Sequence, residues 1–380
     1  MSQDIDRRSF VGAAAASTVA ATTGMLGVVG AAEGAETRGK KPGKKFRRIA
    51  TEEAFNIPEI AEAYAVFGRS TWDSLDNVLN NILYSNPTGP IMPDIHRRLL
   101  DFDNERLQIM DRDSVDMHVL SLTCPGVQVF DPDTATSLAT LVNDRLADAI
   151  KRHPTRYAGL GCFAPQDPKR AVKEMERSIR ELKLNGFILN SHTQGEYLDN
   201  QKFWPILEAA EALGAPIYLH PRSPSRQMQG GFDEYNLHAA MWGYAVETGT
   251  HALRIMMSGA LDRFPKLQIV LGHMGELIPF HLWRIDYMAT RGFTQRAGLK
   301  LIPSEYYKRN FAITTSGVED HLALKFCIDK LGVDNVMWAI DYPYQPSEPA
   351  TTFMNTAPIS DADKEKIFHK NAERIFRIAT

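Results

Sequence analysis

The sequence is poor in cysteine and carries little excess charge of either sign. Its 380 residues include only three cysteines, Cys124, Cys162 and Cys327, and none of them forms a CxxC pair. An odd number of widely spaced cysteines cannot complete a disulfide framework, so buried free thiols are expected. A net charge of -3 argues against a basic surface for nucleic acid, and no nucleic-acid partner is expected.

Glycine-rich phosphate-binding loops and long apolar runs are also missing from most of the chain. Neither GxGxxG nor GxxxxGK[ST] follows the first apolar segment, so nothing supports nucleotide binding there. The longest stretch without charge is N-terminal, where Arg7-Arg8-Ser9-Phe10 precedes an Ala/Gly-rich segment from Val11 to about Ala32. This pattern resembles a twin-arginine signal peptide. An uncleaved membrane helix is the alternative, but small residues bury little apolar area in a bilayer.

The sequence therefore divides into three parts. Residues 1–35 are interpreted as the signal peptide, 36–46 as a basic linker, and 47–380 as one catalytic domain. Cleavage after Ala32 or Ala35 would leave no stable membrane anchor. We expect the twin-arginine export machinery as a partner, and a periplasmic or secreted protein as its product.

Short apolar runs alternate with amphipathic segments from residue 47 onward. Two of these segments, 171–184 and 203–213, have the periodicity of helices. Buried strands separated by helices indicate parallel βαβ units, and eight of them indicate a closed (β/α)8 TIM-type barrel, with a doubly wound open sheet as the alternative. The eight predicted strands are 48–54, 115–122, 157–164, 186–190, 216–220, 267–273, 311–316 and 336–341.

Two long excursions interrupt this alternation. Residues 57–106 follow the first predicted strand, and residues 221–250, rich in methionine and aromatic residues, follow the fifth. Long excursions after barrel strands usually cap the active site, so both are predicted to be capping insertions. Their aromatic content also suggests a homodimer. Residues 362–378 are expected to form a closing helix.

Polar side chains stand at the ends of four predicted strands. They are Glu52, His220, His273 and Asp341. A single histidine at a strand end is more often a hydrogen-bonded structural residue than a ligand. Because the carboxyl ends of barrel strands converge on one face, the four together predict a site for a divalent metal ion.

Five motifs carry a resemblance to a known family. The motifs are TEEAF (51–55), YLHPR (218–222), LGHMGE (271–276), AIDYPY (339–344) and NAERIF (371–376). In order and spacing they resemble the decarboxylases of the amidohydrolase superfamily, the aminocarboxymuconate-semialdehyde decarboxylase-like group. Many members have histidine two residues after the first glutamate, where this sequence has Ala54, and in this the chain is similar to the 5-carboxyvanillate decarboxylases. The resemblance implies an amidohydrolase-like barrel with Glu52, His220 and Asp341 as ligands of one divalent metal ion, Mn²⁺ favoured and Zn²⁺ possible.

The resemblance also implies roles for other residues. Asp341 would be the proton donor, with His273 and Glu276 as catalytic neighbours. Independently of the resemblance, side-chain alternation along a strand directs Glu53 away from Glu52. Arg106 shares the helical pattern of Arg98, and a solvated helix face is its alternative. A turn of helix is the alternative for Glu276. The candidate substrate-binding residues are Arg98, Arg284, Tyr344, Tyr244 and His192.

The activity implied by the resemblance is non-oxidative decarboxylation of a small aromatic acid of the ortho-hydroxybenzoate type. A metal-dependent hydrolase of an ester, lactone or amide is the alternative, because the same ligands can activate water. A binding protein without catalysis is the third interpretation, and metal analysis would separate it from the other two.

Overall fold

A barrel of eight parallel strands, ordered β1 to β8, forms the centre of the molecule. The computed structural model describes residues 45–70, 75–87, 89–232, 234–291 and 298–379. The predicted signal peptide and the linker up to residue 44 lie outside the described residues. The strands are β1 (Ile49–Phe55), β2 (Met117–Leu122), β3 (Tyr157–Cys162), β4 (Gly186–Asn190), β5 (Ile217–His220), β6 (Ile269–Leu271), β7 (Phe311–Thr314) and β8 (Val336–Met337).

The strands are buried along almost their whole length. Such strands have to be apolar on both faces, which explains their nearly continuous apolar sequences. Each strand pairs with the next one in parallel register, as Ile188 does with Tyr218. Between β8 and β1 the backbone continues the closure, because Thr51 N donates to Trp338 O at 3.2 Å and Ala54 N to Tyr342 O at 2.7 Å. The barrel prediction is confirmed, and the open doubly wound sheet is excluded.

The predicted strand ends differ from the observed ones in the third strand, which ends at Cys162 instead of residue 164, and in the last three strands. The sixth was predicted over 267–273 but spans Ile269–Leu271, and the seventh ends at Thr314 instead of residue 316. The eighth was predicted over 336–341 but covers only Val336–Met337. In these strands, the predicted run included residues that do not pair with the neighbouring strands and so lie outside the regular ladder.

Helices surround the barrel, and their ends follow local capping signals. In α6, Pro168 occupies the first turn and the Asp167 side chain accepts from Arg170 N at 3.0 Å. This helix ends at Arg180, earlier than the predicted 184.

The helices are α1 (Pro58–Gly68), α2 (Asp76–Asn80), α3 (Met92–Leu99), α4 (Glu105–Arg112), α5 (Pro132–Arg152), α6 (Pro168–Arg180), α7 (Trp204–Leu213), α8 (Gly243–Met257), α9 (Ala260–Arg263), α10 (His273–Glu276), α11 (Ile278–Thr290), α12 (Pro303–Asn310), α13 (His321–Leu331), α14 (Ser347–Thr356), α15 (Asp361–Glu365) and α16 (Asn371–Phe376).

Shorter turns complete the architecture. The predicted closing helix consists of α15, a π turn and α16 in succession. Among the described residues no helix combines the length and the apolar character needed to cross a membrane. All three cysteines are buried and free, as expected. The 3₁₀ turns are Gly126–Val129, Gln201–Phe203, Arg226–Gly231 and Val333–Asn335, and the π turns are Asn81–Ser85 and Lys366–Lys370.

The two insertions meet each other. The first contains α1, α2 and α3, and the second contains the 3₁₀ turn Arg226–Gly231 and the start of α8. Asp76 of the first insertion forms an ion pair with Arg222 of the second, and both side chains are almost fully buried. Removing one partner of a buried pair leaves an uncompensated charge, so the pair holds the two insertions together.

Candidate metal centre

Three of the four polar residues at the strand ends form a compact cluster. Glu52 projects from β1, His220 ends β5, and Asp341 follows β8. One potential ligand atom from each of these residues lies within 4.8 Å of the other two. The predicted metal-ligand set is therefore brought together by the fold.

The carboxylate of Glu52 is held by one oxygen and free at the other. Its Oε2 accepts hydrogen bonds from the hydroxyls of Thr314 at 2.9 Å, Tyr218 and Ser316. Its Oε1 is buried, has no hydrogen-bond partner, and lies 3.4 Å from His220 Nε2. A buried carboxylate oxygen without a partner is costly, and a bound cation would satisfy it.

Glycine at position 272 makes room for this carboxylate. A Cβ atom there would lie 2.8 Å from both carboxylate oxygens of Glu52, closer than real Cβ atoms approach. Any larger residue at Gly272 would displace the Glu52 carboxylate.

The tautomer of His220 leaves its second nitrogen free for a ligand. Nδ1 lies 2.8 Å from the carbonyl oxygen of Pro221, so Nδ1 carries the proton. Nε2 then presents its lone pair to Glu52 and Asp341. A backbone carbonyl that fixes the imidazole in this way is typical of metal-binding histidines. Two carboxylates, one oriented imidazole and an unpartnered buried oxygen fit a divalent cation.

His273 and Glu276 lie in a turn with an unusual backbone. His273, Met274, Gly275, Glu276 and the following Leu277 all have positive φ, between 47° and 80°. A left-handed turn costs about 1–2 kcal/mol for each residue with a Cβ, and such strain persists only where the surroundings hold it. The predicted alternative of a right-handed first turn for Glu276 is wrong.

The left-handed turn joins these two side chains and directs His273 at the cluster. Nδ1 of His273 lies 2.8 Å from Glu276 Oε1. Its Nε2 lies 3.7 Å from Asp341 Oδ2 and 3.8 Å from Glu52 Oε1. His273 is therefore a neighbour of two members of the cluster, oriented by Glu276.

The charges of the cluster shift the pKa values of its members. Burial opposes ionisation of Glu52, but His273, His220 and the hydrogen bonds from Ser316 and Tyr218 together lower the pKa of Glu52. Burial and the nearby Glu52 raise the pKa of Asp341. Burial alone would lower the pKa of His273, but Glu52 and Glu276 raise it well above its ordinary value. Asp341 is consequently the carboxyl group of the cluster that is more readily protonated.

Two of the predicted substrate-binding tyrosines lie near one another beside the cluster. The Tyr344 hydroxyl and Thr123 Oγ1 are 2.6 Å apart, and the Tyr244 hydroxyl interacts with the Cys124 thiol and with Ser223. Burial raises the pKa of both tyrosines well above the ordinary value, so their hydroxyls stay neutral.

His192 is buried and bound by the backbone on both ring nitrogens. Its Nδ1 accepts from Gly195 N at 3.1 Å, and its Nε2 lies 3.1 Å from the carbonyl oxygen of Ser223. These bonds occupy both ring nitrogens in this structure and link the segment after β4 to the segment after β5.

The two arginines predicted to bind substrate are placed differently. Arg98 on α3 forms ion pairs with Asp94 at 3.0 Å and Glu105 at 3.3 Å. Arg284 lies exposed on α11, where it lines an apolar groove of about 530 Å³ together with Trp242. The groove lies between α8 and α11, outside the cluster.

Several residues around the cluster could not be predicted from the sequence. Tyr218, Thr314 and Ser316 hold the Glu52 carboxylate, and their only sequence signal is a hydroxyl at or next to a strand end. Arg106 is fully buried and donates to Ala54 O at 2.8 Å. The alternative of a solvated helix face is wrong, because the guanidinium donates to main-chain carbonyl oxygens that the sequence does not reveal.

Comparisons with known proteins agree with this geometry. The model of the amidohydrolase family matches residues 93–378. A γ-resorcylate decarboxylase from Polaromonas sp. is 34% identical over 302 residues, covering 75% of this chain and 90% of its own length. The crystal structure of a 5-carboxyvanillate decarboxylase from Sphingomonas paucimobilis has 51% identity and a TM-score of 0.85, over 88% of this chain and 100% of that one.

A third relative was crystallised with a metal ion. The 5-carboxyvanillate decarboxylase from Novosphingobium aromaticivorans, in complex with manganese and 4-hydroxy-3-methoxy-5-nitrobenzoic acid, is 40% identical with a TM-score of 0.84. The match covers 88% of this chain and 96% of that one. By its family match, its relatives and its barrel with a metal-binding cluster, the chain belongs to the amidohydrolase family.

Proposed function

We propose that the chain is a metal-dependent decarboxylase of small aromatic acids that carry a hydroxyl group next to the carboxylate. The observation that carries the proposal is the cluster of Glu52, His220 and Asp341, with its free Glu52 oxygen and oriented His220. The relatives named above as decarboxylases of hydroxylated benzoates support the same activity.

The donor set favours Mn²⁺, with Zn²⁺ as the second choice. Two carboxylates and one imidazole make a mostly oxygen site, which suits Mn²⁺ better than a site of nitrogen or sulfur donors. With a divalent ion held by these three side chains, the phenolic and carboxylate oxygens of the substrate gain a template and a Lewis acid. An ortho-hydroxybenzoate offers both oxygens to one ion, whereas a simple benzoate does not.

Asp341 is the residue that we assign to proton transfer. Its carboxyl group takes the phenolic proton of the substrate and delivers it to the ring carbon that bears the carboxylate. The bond from that carbon to the carboxylate then breaks, its electron pair returns to the ring, and carbon dioxide leaves. The phenolate product takes up a proton from water on release. Asp341 enters this step as the carboxylate and can accept the phenolic proton because the bound cation would favour its ionised form.

The surrounding residues would orient the substrate. His273, fixed by Glu276, faces the cluster and can hydrogen-bond the carboxylate that leaves. Tyr344 and Tyr244 are half-buried and neutral, so they can line the side of the aromatic ring. The guanidinium of Arg98 can form two parallel hydrogen bonds to the substrate carboxylate once it releases Asp94 or Glu105, the two acidic residues that it contacts.

The test is a panel of acids incubated with Mn²⁺-loaded protein. It contains 5-carboxyvanillate, γ-resorcylate and unsubstituted benzoate, with an aryl ester and a lactone as controls. We expect carbon dioxide and loss of ring absorbance from the ortho-hydroxylated acids alone. Hydrolysis of the ester or lactone without carbon dioxide from any acid would refute the decarboxylase.

One feature supports the hydrolase as the second candidate. The pair of His273 and Glu276 beside a metal site is also suited to activating water. The variant Asp341→Asn distinguishes the two once its metal content has been measured. Decarboxylation should be lost in metal-replete Asp341→Asn protein, because the carboxyl group that moves the proton is missing. A hydrolase that relies on His273 would keep part of its activity.

We also propose that the protein is exported by the twin-arginine route and acts in the periplasm or outside the cell. Arg7, Arg8 and the Ala/Gly-rich segment that follows support this proposal. Replacing both arginines by lysine should leave the precursor in the cytoplasm. Normal delivery of the double variant would contradict twin-arginine export.

The homodimer is likewise a proposal, and it is supported by exposed apolar side chains. Met241, Trp242, Phe280 and Trp283 are between 46% and 79% exposed, and Trp242 lines the apolar groove between α8 and α11. Exposed apolar surface often marks an interface, and a second copy is the partner we expect. Light scattering should show a dimer that Trp283→Ser dissociates and that Val66→Ser, on α1, does not.

A further inference from the structure

Glu53 follows the ligand Glu52 in β1, but its side chain contacts the segment after β8. Its side chain is fully buried. Oε1 accepts a hydrogen bond from Ile340 N at 3.0 Å, and Oε2 accepts one from Tyr342 N at 3.0 Å. These are the two amide groups on either side of Asp341. One carboxyl group therefore binds the backbone amide groups of the residue before Asp341 and of the residue after it.

These two hydrogen bonds lie where the strand ladder of β8 ends. β8 ends at Met337, and β1 then contacts the following segment through Thr51 N to Trp338 O and Ala54 N to Tyr342 O. Between these two backbone bonds, the Glu53 side chain supplies the acceptors for Ile340 and Tyr342. A regular strand would use backbone carbonyl groups there, and would keep residue 341 within the sheet.

Asp341 needs this support because its backbone is strained. Its φ is 74°, in the left-handed region that residues with a Cβ rarely adopt. Such conformations persist where the surrounding structure over-determines them. The two bonds to Glu53 fix the amide groups of Ile340 and Tyr342, the residues before and after the strained one, and this backbone places the Asp341 carboxylate near Glu52 and His220.

Tyr342 is held a second time through its ring. The guanidinium of Arg106 lies 4.7 Å from the centre of the Tyr342 ring, and Arg106 also donates to Ala54 O at 2.8 Å. Tyr342 is thus fixed by its amide group, which donates to Glu53 of β1, and by its ring, which lies against Arg106 of α4. Its backbone cannot shift unless one of these contacts breaks.

We infer that Glu53 is a positioning residue, which holds Asp341 in the orientation needed for metal binding and proton transfer. This inference rests on the proposed function of Asp341. Glu53 does not touch the substrate or the metal site through its own carboxylate, because both of its oxygens face the backbone of Ile340 and Tyr342.

The variant Glu53→Gln tests the inference. Glutamine has the same shape, but its NH₂ group faces a backbone N–H that it cannot accept from, so one of the two bonds is lost. We expect the affinity for Mn²⁺, measured by electron paramagnetic resonance without substrate, to fall about 10- to 100-fold, as is usual when a residue that orients a metal ligand is changed. At saturating Mn²⁺, kcat should remain reduced while KM stays near that of the unchanged protein.

Two further variants separate positioning from general stability. Glu174→Gln is the matched control, because Glu174 is also a buried carboxylate but binds Asn143 and Arg177 away from the cluster. It should lower the melting temperature of the metal-free protein and leave the Mn²⁺ affinity unchanged. If Glu53→Gln does not fold, Glu53→Asp keeps a carboxyl group that is too short to reach both amide groups, and it should also bind Mn²⁺ more weakly.

The outcomes distinguish this inference from the proposed function. Unchanged Mn²⁺ affinity in a folded Glu53 variant overturns the positioning role, whatever its melting temperature. If the unchanged protein binds Mn²⁺ but releases no carbon dioxide from any acid, the proposed function fails, and the affinity loss still supports the positioning of Asp341. If the unchanged protein binds no Mn²⁺, both are overturned.

Discussion

The Nδ1 atom of His273 lies 2.8 Å from Oε1 of Glu276, within a turn whose backbone is left-handed. The turn places the imidazole between its acidic partner on one side and the carboxylates of Glu52 and Asp341 on the other. The geometry makes Glu276 responsible for the orientation of His273, and the charges of Glu52 and Glu276 together raise the pKa of this histidine against the effect of burial.

Glu276→Gln should therefore impair turnover without impairing metal binding. Glutamine can still accept the hydrogen bond from Nδ1, but it carries no charge to stabilise the protonated imidazole. We expect kcat to fall about 10- to 100-fold, with Mn²⁺ affinity unchanged. Steady-state kinetics and a Mn²⁺ titration provide the two readouts. Glu305→Gln, in the capping turn of α12, is the control and should retain full activity. Equal losses in both variants would contradict the role of Glu276.

The ligand cluster could be predicted from sequence because of a simple pattern. Glu52, His220, His273 and Asp341 each follow or end an apolar run, and the carboxyl ends of barrel strands converge. The resemblance to the decarboxylases then singled out Glu52, His220 and Asp341 as the ligands. The order of the runs and their burial on both faces likewise determine a parallel barrel. The strand-end residues and the order of the apolar runs are properties of the local sequence, which is why both could be predicted without a structure.

What could not be predicted depends on contacts between distant segments. The eighth strand ends early because a side chain, Glu53, replaces the backbone acceptors of the ladder. The segment HMGE looks like the first turn of a right-handed helix, and only its surroundings make it left-handed. One of these is Gly249, where a Cβ atom would lie 2.7 Å from the carbonyl oxygen of Glu276. Composition and periodicity contain no signal for either contact.

Removal and restoration of the metal should change stability measurably. A ligand that binds only the folded state stabilises it by about 2.7 kcal/mol at a concentration 100 times its Kd. For a domain of this size, that corresponds to a rise in Tm of about 4 °C. We expect the rise when Mn²⁺ is added to chelator-treated protein, followed by differential scanning calorimetry. Glu52→Gln should lose the rise, whereas Glu276→Gln should keep it. A Tm that does not respond to Mn²⁺ would argue against the metal centre.

A buried histidine away from the cluster should make the fold sensitive to acid. His251 on α8 accepts from Leu198 N at 2.9 Å through Nε2, and its Nδ1 lies 3.3 Å from Ser191 Oγ. Burial, together with His192 and Arg254, lowers the pKa of His251 to about 3. Below the ordinary pKa of about 6.5, the unfolded chain binds a proton that the folded chain does not. Stability must then fall with falling pH, by about 1.4 kcal/mol per pH unit for this group, until the folded pKa is reached.

The variant His251→Gln removes this titrating group. Its free energy of unfolding is expected to be lower near pH 7.5, because the buried bonds are disturbed. Between pH 6.5 and 4.5, however, the free energy should fall less steeply than in the unchanged protein. Urea denaturation at several pH values gives both slopes. Parallel slopes would mean that His251 is protonated in the folded protein at those pH values, contrary to the prediction.

Two adjacent arginines allow a test of how the substrate carboxylate is bound. Arg97 and Arg98 both form ion pairs with Asp94 and Glu105, but the Arg98 side chain is 29% exposed and that of Arg97 is 56% exposed. The resemblance to known decarboxylases assigns the substrate to Arg98. Arg98→Met should raise KM for a hydroxybenzoate about 10- to 150-fold, since a hydrogen bond to a charged group contributes about 1.5–3 kcal/mol.

Arg97→Met is the matched control, because it removes one cation from the same acidic pair and leaves Arg98 in place. Its KM should stay within about fivefold of the unchanged protein, as expected for an exposed ion pair of at most about 1 kcal/mol. In both variants kcat should change little, because an interaction present equally in the ground state and the transition state affects KM alone. Equal increases of KM in both variants would assign the effect to the acidic pair on α3 and α4. No increase in either variant would move carboxylate recognition away from α3, and Arg284 on α11 would be the next residue to replace.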